Sequence, residues 1–371
     1  MTQDGQIRGS ILTPDGWVSG RLVFDEHILA VQGVRVDDAR APFVIPGFID
    51  LHVHGGGGHD VMSGTPGIRG MARLHARHGT TSLLATSVTA AVREIEAFLA
   101  AVASVMAEPG PGEARVTGAH LEGPFINPCK LGAQPSLARP VDLAGMADWL
   151  STGVVRIVTL APELDGAADL VSLVQAQGAR AQLGHSLCTY AEATSALAQG
   201  CGITHLFNAM SGVSHRGSGL AGAALAHADW AEVIPDLIHV EAGAILAARR
   251  AIPNLYGVTD ATAGAGMPDG QYALGTQHVM KRGSVMCLAD GTLAGSALTM
   301  DQALRNLVGL GLDLAEASAR LSRLPAEWAG LGDAGRLAPG LRADLVELDA
   351  DLRVRSVHIA GRPVDLSTGT E

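Results

Sequence analysis

FIDLHVHGGGG, residues 48–58, decides the fold. An apolar, strand-like run ends in two histidines and breaks into glycines. A helical stretch follows, GIRGMARLHARHG (67–79). The same β-then-α texture recurs along the chain: TSLLATSV (81–88) then AAVREIEAFLAAVASVMA (90–107); VTGAHLEG (116–123); VRIVTLAPE (155–163) then DLVSLVQAQG (169–178). It continues with RAQLGHS (180–186) then TYAEATSALAQG (189–200), ITHLFNA (203–209), VIPDLIHV (233–240) then AGAILAARRAI (242–252), and LYGVTDA (255–261). Strands alternating with helices predict a parallel sheet with crossover helices, and this many repeats suit a closed TIM-like (β/α)8 barrel.

Outside the barrel the texture changes. Residues 7–33 alternate apolar and polar residues with Asp-Gly punctuation, and residues 335–364 return to short strands. The expected organisation is a small β-sandwich domain formed from residues 1–45 and 335–371, with a hydrolase barrel over 46–334.

At 371 residues and 47% hydrophobic, the chain can bury a core of this size. Its 47 glycines and only 17% charged residues fit many tight βα turns. The net charge of −11, without a dense Lys/Arg run, argues against a nucleic-acid partner but leaves room for an anionic small substrate bound by local cations. Cys129, Cys188, Cys201 and Cys287 form no CxxC pair and read as reduced thiols. No apolar leader and no run long enough to span a bilayer is seen, so a cytoplasmic location without membrane association is expected.

Ionisable residues recur where apolar strands end: His52 and His54, Glu122, His185, His205, His239 and Asp260. In a parallel barrel the C-terminal strand ends share one face, so these side chains converge. His52 and His54 are i and i+2 in a strand and point the same way. Imidazoles with a carboxylate suit Zn²⁺ or a similar divalent ion with one position open to water. A single strand-end histidine is more often structural; it is the recurrence on successive strands that points to a site. His75, His78, His227 and His278 stand in helical or turn contexts and read as structural, and a supporting role beside Glu122 is open to His120.

PGFIDLHVHGGGG (46–58), HLEGPFINP (120–128), LGHS (183–186), THLFNAM (204–210), GLAGAAL (219–225), VTDAT (258–262) and GTLAGSALTM (291–300) occur in this order over most of the chain. Together they resemble the N-acetylglucosamine-6-phosphate deacetylases of the amidohydrolase superfamily. The resemblance implies Glu122, His185 and His205 as principal metal ligands, and His52 and His54 as an HxH pair that in some members binds a second ion. One or two divalent ions, zinc above all, are therefore expected. It implies Asp260 as the catalytic aspartate. Ala133, Gln134, Asn208, Ala209, His239, Leu293, Ala294 and Gly295 become substrate contacts, and Arg216 a phosphate-binding arginine that reaches in from a neighbouring subunit of a homodimer.

Two departures fall on substrate contacts. Asp236 is followed by Leu-Ile where the family usually has Asp-Gly, and Gln134 stands where a histidine is usual. The amide of Gln134 is expected to hydrogen-bond an acyl or sugar oxygen of the substrate without titrating. The expected reaction is removal of acetate from N-acetylglucosamine 6-phosphate. The alternatives are another N-acyl amino sugar, galactosamine-type or unphosphorylated, and a non-catalytic sugar-phosphate-binding protein.

Overall fold

Residues 5–367 are described by a computed structural model. Eight parallel strands follow one another in spatial order: β1 (Phe48–Val53), β2 (Thr80–Ser87), β3 (Arg115–Glu122), β4 (Val155–Leu160), β5 (Arg180–Leu183), β6 (Gly202–Ile203), β7 (Trp230–Val233) and β8 (Asn254–Gly257). Helices stand between them: α1 (Thr65–Arg77), α2 (Val92–Ala107), α3 (Leu143–Ser151), α4 (Ala167–Ala176), α5 (Tyr190–Leu197), α6 (Gly219–His227) and α7 (Ala242–Ala251), with α8 (Met300–Gly309) after the last strand. The sheet closes just beyond its edges. The Asp260 N–H donates to the His52 carbonyl at 2.8 Å, the His54 N–H to that of Ala261 at 2.8 Å, and Val53 bridges Ala261 in parallel.

Every residue of β1 and of β2 is buried. Helices cover the outer face of a parallel barrel and side chains fill the inner one, which is why these strands lack the alternation of a half-exposed strand. Helix starts carry their own signals. Asp142 accepts the Gly145 N–H at the start of α3, and Thr189 with Glu192 forms a capping box on α5.

Both chain ends enter one seven-stranded sheet. Its order is Arg362–Pro363, Val354–Ile359, Leu345–Leu348, Phe43–Pro46, Gly5–Thr13, Gly16–Phe24 and Ile28–Arg35. The small β domain expected from the two ends is formed by this sheet, with an apolar cluster of its own around Ile11, Leu22, Phe24, Ile28 and Val44. Gly47 alone separates strand Phe43–Pro46 from β1. Buried Arg342 ties the two parts together, pairing with Asp344 at 2.6 Å and donating to Ser82 Oγ, near the start of β2, at 2.7 Å. These contacts lie at the opposite end of the strands from the converging histidines.

One element was not separated in the sequence. Between β8 and α8 the chain forms a three-stranded antiparallel sheet, Gly270–Leu274, Gln277–Arg282 and Val285–Cys287, packed on Val88 and Ala294. All four cysteines are unpaired. Among the described residues no helix is long and apolar enough to cross a membrane.

Candidate active site

The converging residues occupy the C-terminal ends of the barrel strands. Glu122 is the last residue of β3, while His185, His205 and Asp260 lie just past β5, β6 and β8. The chain turns sharply at these points. His185, His205, Phe207, Ala209, Leu237 and Asp260 have φ of 49°, 30°, 80°, 48°, 64° and 50°. Non-glycine residues seldom adopt this left-handed region, and such strain collects at functional sites. Leu237 stands where the family's usual glycine would accept that conformation freely. Gly123, which follows Glu122, has φ of 87°, and a Cβ there would lie 2.3 Å from Thr89 Oγ1.

The side chains meet in a tight cluster. Glu122 Oε1 lies 2.9 Å from His185 Nε2 and 3.0 Å from His205 Nε2, and those two nitrogens are 3.1 Å apart. On the other side, His52 and His54 Nε2 are 3.2 Å apart, and His54 Nε2 is 3.2 Å from both Glu122 Oε2 and Asp260 Oδ1. Among the described residues, three groups of donors lie close enough to hold a cation: Glu122, His185 and His205; His52, His54 and Asp260; and, deeper in the barrel, His52, His120 and Glu232.

The chemistry of the donor set fits such an ion. His54 Nδ1 sits 2.9 Å from the Thr86 carbonyl, His185 Nδ1 2.8 Å from that of Lys130, and His52 Nδ1 3.0 Å from Glu232 Oε2. Those oxygens accept, so the three Nδ1 atoms carry the hydrogens and the neutral rings turn bare Nε2 lone pairs toward one another. His205 Nδ1 is buried without a partner among the described residues. The cluster therefore demands positive charge, from protons or from a cation. Burial opposes it, but the contacts with Asp260 and Glu122 push the His54 imidazole up to about 9. Burial likewise opposes the Asp260 carboxylate, yet His52 and His54 hold it down at about 2. Glu122, against its burial, is held well below the usual range by His52 and His185.

The cluster forms the floor of a cavity of about 310 Å³. His54, Glu122, His185, His205 and Asp260 line it together with Ala133, Gln134, Asn208, Ala209, His239, Leu293 and Gly295. His52 is fully buried beneath this floor, and Ala294 is buried behind its wall. Val88, Gly132, Leu274 and Thr292 also line the cavity and were not singled out from the sequence. Leu274 belongs to the unforeseen three-stranded sheet.

Three placements refine the expectations. The Gln134 amide is turned to the protein: its Oε1 accepts the Thr89 N–H at 2.6 Å, and its Nε2 donates to Glu122 Oε2. The usual pairing of a donor with an anion and an acceptor with a backbone N–H accounts for this. His239 is oriented by Asp236, to which the sequence reading gave no role: Asp236 Oδ2 accepts from its Nδ1 at 2.7 Å. The contact survives the Leu-Ile departure because Asp236 Oδ1 also takes the backbone N–H groups of Ile238 and His239. Arg216 lies on an exposed turn closed by Ser214 and Gly217 and is not among the residues lining the cavity of its own chain.

The model of the amidohydrolase family matches residues 43–365. The chain is 38% identical to the N-acetylgalactosamine-6-phosphate deacetylase of Escherichia coli O157:H7 over 365 residues, 95% of this chain and 97% of that one. It is 39% identical to the N-acetylglucosamine-6-phosphate deacetylase of Vibrio furnissii over 331 residues, covering 86% and 82%. Among solved structures, a mutant N-acetyl-D-glucosamine-6-phosphate deacetylase from Mycobacterium smegmatis in complex with N-acetyl-D-glucosamine-6-phosphate superposes with a TM-score of 0.90 at 33% identity, covering 98% of this chain and 99% of that one.

Proposed function

The chain belongs to the amidohydrolase family, and on that premise we propose that it hydrolyses N-acetylglucosamine 6-phosphate to glucosamine 6-phosphate and acetate. The observation that carries the reading is the convergence of Glu122, His185 and His205 within about a hydrogen bond of one another, with Asp260 beside them in the same cavity. Glu122, His185 and His205 would hold one divalent ion, and His52 and His54 a second; zinc suits this set best. Such an ion supplies Lewis acidity that polarises the acetyl carbonyl and makes a water more acidic.

Asp260 is the proton carrier in this scheme. Held as a carboxylate, it accepts a proton from the water whose oxygen attacks the acetyl carbon. As the C–N bond breaks, it delivers that proton to the departing amine. His239 is oriented by Asp236 toward the sugar, and Asn208, Ala209, Leu293 and Gly295 shape the walls around it. Gln134 and Ala133 contribute the wall nearest Glu122. Arg216 would hold the 6-phosphate with charge-assisted hydrogen bonds. Its exposed turn supports a homodimer in which each subunit lends this arginine to the other's cavity. The unpaired cysteines support a cytoplasmic setting, and the shared sheet supports residues 1–45 with 335–371 as one small domain beside a barrel of 46–334.

The E. coli relative favours a second reading, the galactosamine epimer. Acetate release from both N-acetylated 6-phosphates and both free sugars, measured on zinc-reconstituted protein, separates them. Preference for the glucosamine series supports the first reading and preference for the galactosamine series the second. No acetate from any of the four overturns the deacetylase.

A further inference from the structure

Beneath the cation cluster, inside the barrel, lies a carboxylate that the scheme above does not use. Glu232, on β7, is fully buried. Its Oε2 accepts from His52 Nδ1 at 3.0 Å and from the His205 backbone N–H at 3.3 Å. Its Oε1 accepts from Gln182 Nε2 at 3.0 Å, and the Tyr256 hydroxyl, whose one hydrogen is shared with Gln182 Oε1 at 2.9 Å, lies 3.2 Å from it.

The direction of these bonds is set from the far end. Trp328 Nε1 is donor-only and gives its hydrogen to Gln182 Oε1 at 2.6 Å. Gln182 must therefore present its NH₂ end to Glu232 and to Thr204 Oγ1. Glu232 receives donors on both oxygens and needs none of its own. Only an acceptor-only group fits, and a carboxylate is one.

The consequence reaches the site above. With its hydrogen given to Glu232, His52 keeps a bare Nε2, and this is the nitrogen that faces His54 and the two site carboxylates. The other tautomer would put an N–H there and remove a ligand. We propose that Glu232 is a positioning residue: it fixes His52 with its Nε2 lone pair toward the cation position, and through the His205 backbone it ties the two ligand groups to one support. The proposal deepens the metal-dependent reading above and rests on it, but its test needs no turnover.

The test uses the full chain labelled with ¹⁵N-histidine and titrated with zinc alone. The buried His52 Nδ1 proton should give a slowly exchanging downfield signal, assigned by its absence in His52→Asn. Glu232→Met keeps the volume and removes the acceptor. It is expected to lose that signal and to weaken the zinc bound through His52 by ten- to a hundredfold, the range for outer-shell partners of metal-ligating histidines. Tyr256→Phe removes the hydroxyl that lies beside the other oxygen of the same carboxylate. It should lower the melting temperature but keep the His52 signal and the zinc affinity. If Glu232→Met does not fold, Glu232→Gln is read in its place. Its neutral amide oxygen is a weaker acceptor than a carboxylate, so the His52 signal should move upfield and zinc should weaken. Wild-type zinc affinity with an unmoved His52 signal in the Glu232 variant overturns the proposal. So does an equal zinc loss in Tyr256→Phe, which would make the carboxylate merely structural. Failure of the deacetylase reading would appear separately, as absent acetate release with the His52 result intact.

Discussion

Gln134→Met tests what the amide beside Glu122 does. Methionine has nearly the same volume, so packing changes little, but two hydrogen bonds vanish. The first is the donation from Gln134 Nε2 to the Glu122 carboxylate, a bond to a charged group worth about 1.5–3 kcal/mol net. The second leaves the buried Thr89 N–H without an acceptor, at about 1–3 kcal/mol. The two losses are felt in different places. The Thr89 penalty falls on the fold and lowers the melting temperature whether or not a cation is bound. The Glu122 loss falls on the site: among the described residues Oε2 keeps only His54 as a close partner, and the carboxylate is freer to rotate away from His185 and His205. Zinc affinity should drop by about ten- to a hundredfold, as for other outer partners of metal ligands. The assays are a zinc titration with kcat and KM for the preferred sugar phosphate at saturating zinc. If zinc binds with wild-type affinity while kcat collapses, Gln134 acts on the substrate and the positioning argument is refuted. Gln134→His should retain activity and add an imidazole ionisation to the pH–rate profile.

Glu122→Ala should abolish tight zinc binding, because its Oε1 is the point shared by His185 and His205, whereas His52→Ala should cost at most one of two equivalents; metal analysis of the purified variants decides. Full zinc occupancy without Glu122 would remove it from the site. Asp260→Asn keeps the shape but not the proton acceptor. It should fold and bind zinc with kcat lowered by about 10²-fold or more, the scale of a lost general base. Arg216→Ala should lower kcat/KM strongly for the 6-phosphate and little for the free sugar. Equal losses on the two would show that this exposed arginine does not read phosphate.

The barrel was legible because its signal is repeated. Each fully buried strand is a short apolar run followed by a polar residue and a turn, and a parallel barrel then forces the strand ends together. Glu122, His185, His205 and Asp260 were found from that repetition, without any knowledge of contacts. What was not legible depends on partners far away in sequence. Glu232 lies in WAEVI (230–234), where nothing marks it, and its role appears only when β7 is set beside His52, 180 positions earlier. Asp236 could have been found as a carboxylate three residues before a strand-end histidine. The orientation of Gln134 could not, because a loop amide has both a donor and an acceptor and only the fold chooses their partners. The three-stranded sheet of residues 270–287 escaped because short alternating segments after a long βα series read as one more loop.

The barrel braces the turns that present the site's side chains. The strained turns at His185, Ala209 and Asp260 are pinned by main-chain hydrogen bonds from neighbouring segments. The His185 carbonyl accepts from Asn127 at 2.9 Å, that of Ala209 from Ser186 at 3.1 Å, and that of Asp260 from Ser296 at 2.7 Å, while the Asp260 N–H is held by His52. Left-handed conformations cost on the order of 1–2 kcal/mol each, and these cross-segment bonds offset that cost. Chelator-treated protein should therefore keep its far-UV circular dichroism while its melting temperature falls, since the ion no longer relieves the crowded lone pairs. In that ion-free chain protons take over the role. His54, lifted to about 9 by its carboxylate neighbours against its burial, contributes stability that is fully present below about 6.5. That stability is lost as pH rises through 9. The melting temperature of the chelated protein should thus fall more steeply between pH 7 and 9 than that of the zinc-loaded protein. Parallel slopes would mean that the imidazoles do not substitute protons for the cation. Loss of the circular dichroism signal on chelation would mean that the ion, and not the barrel, holds these turns.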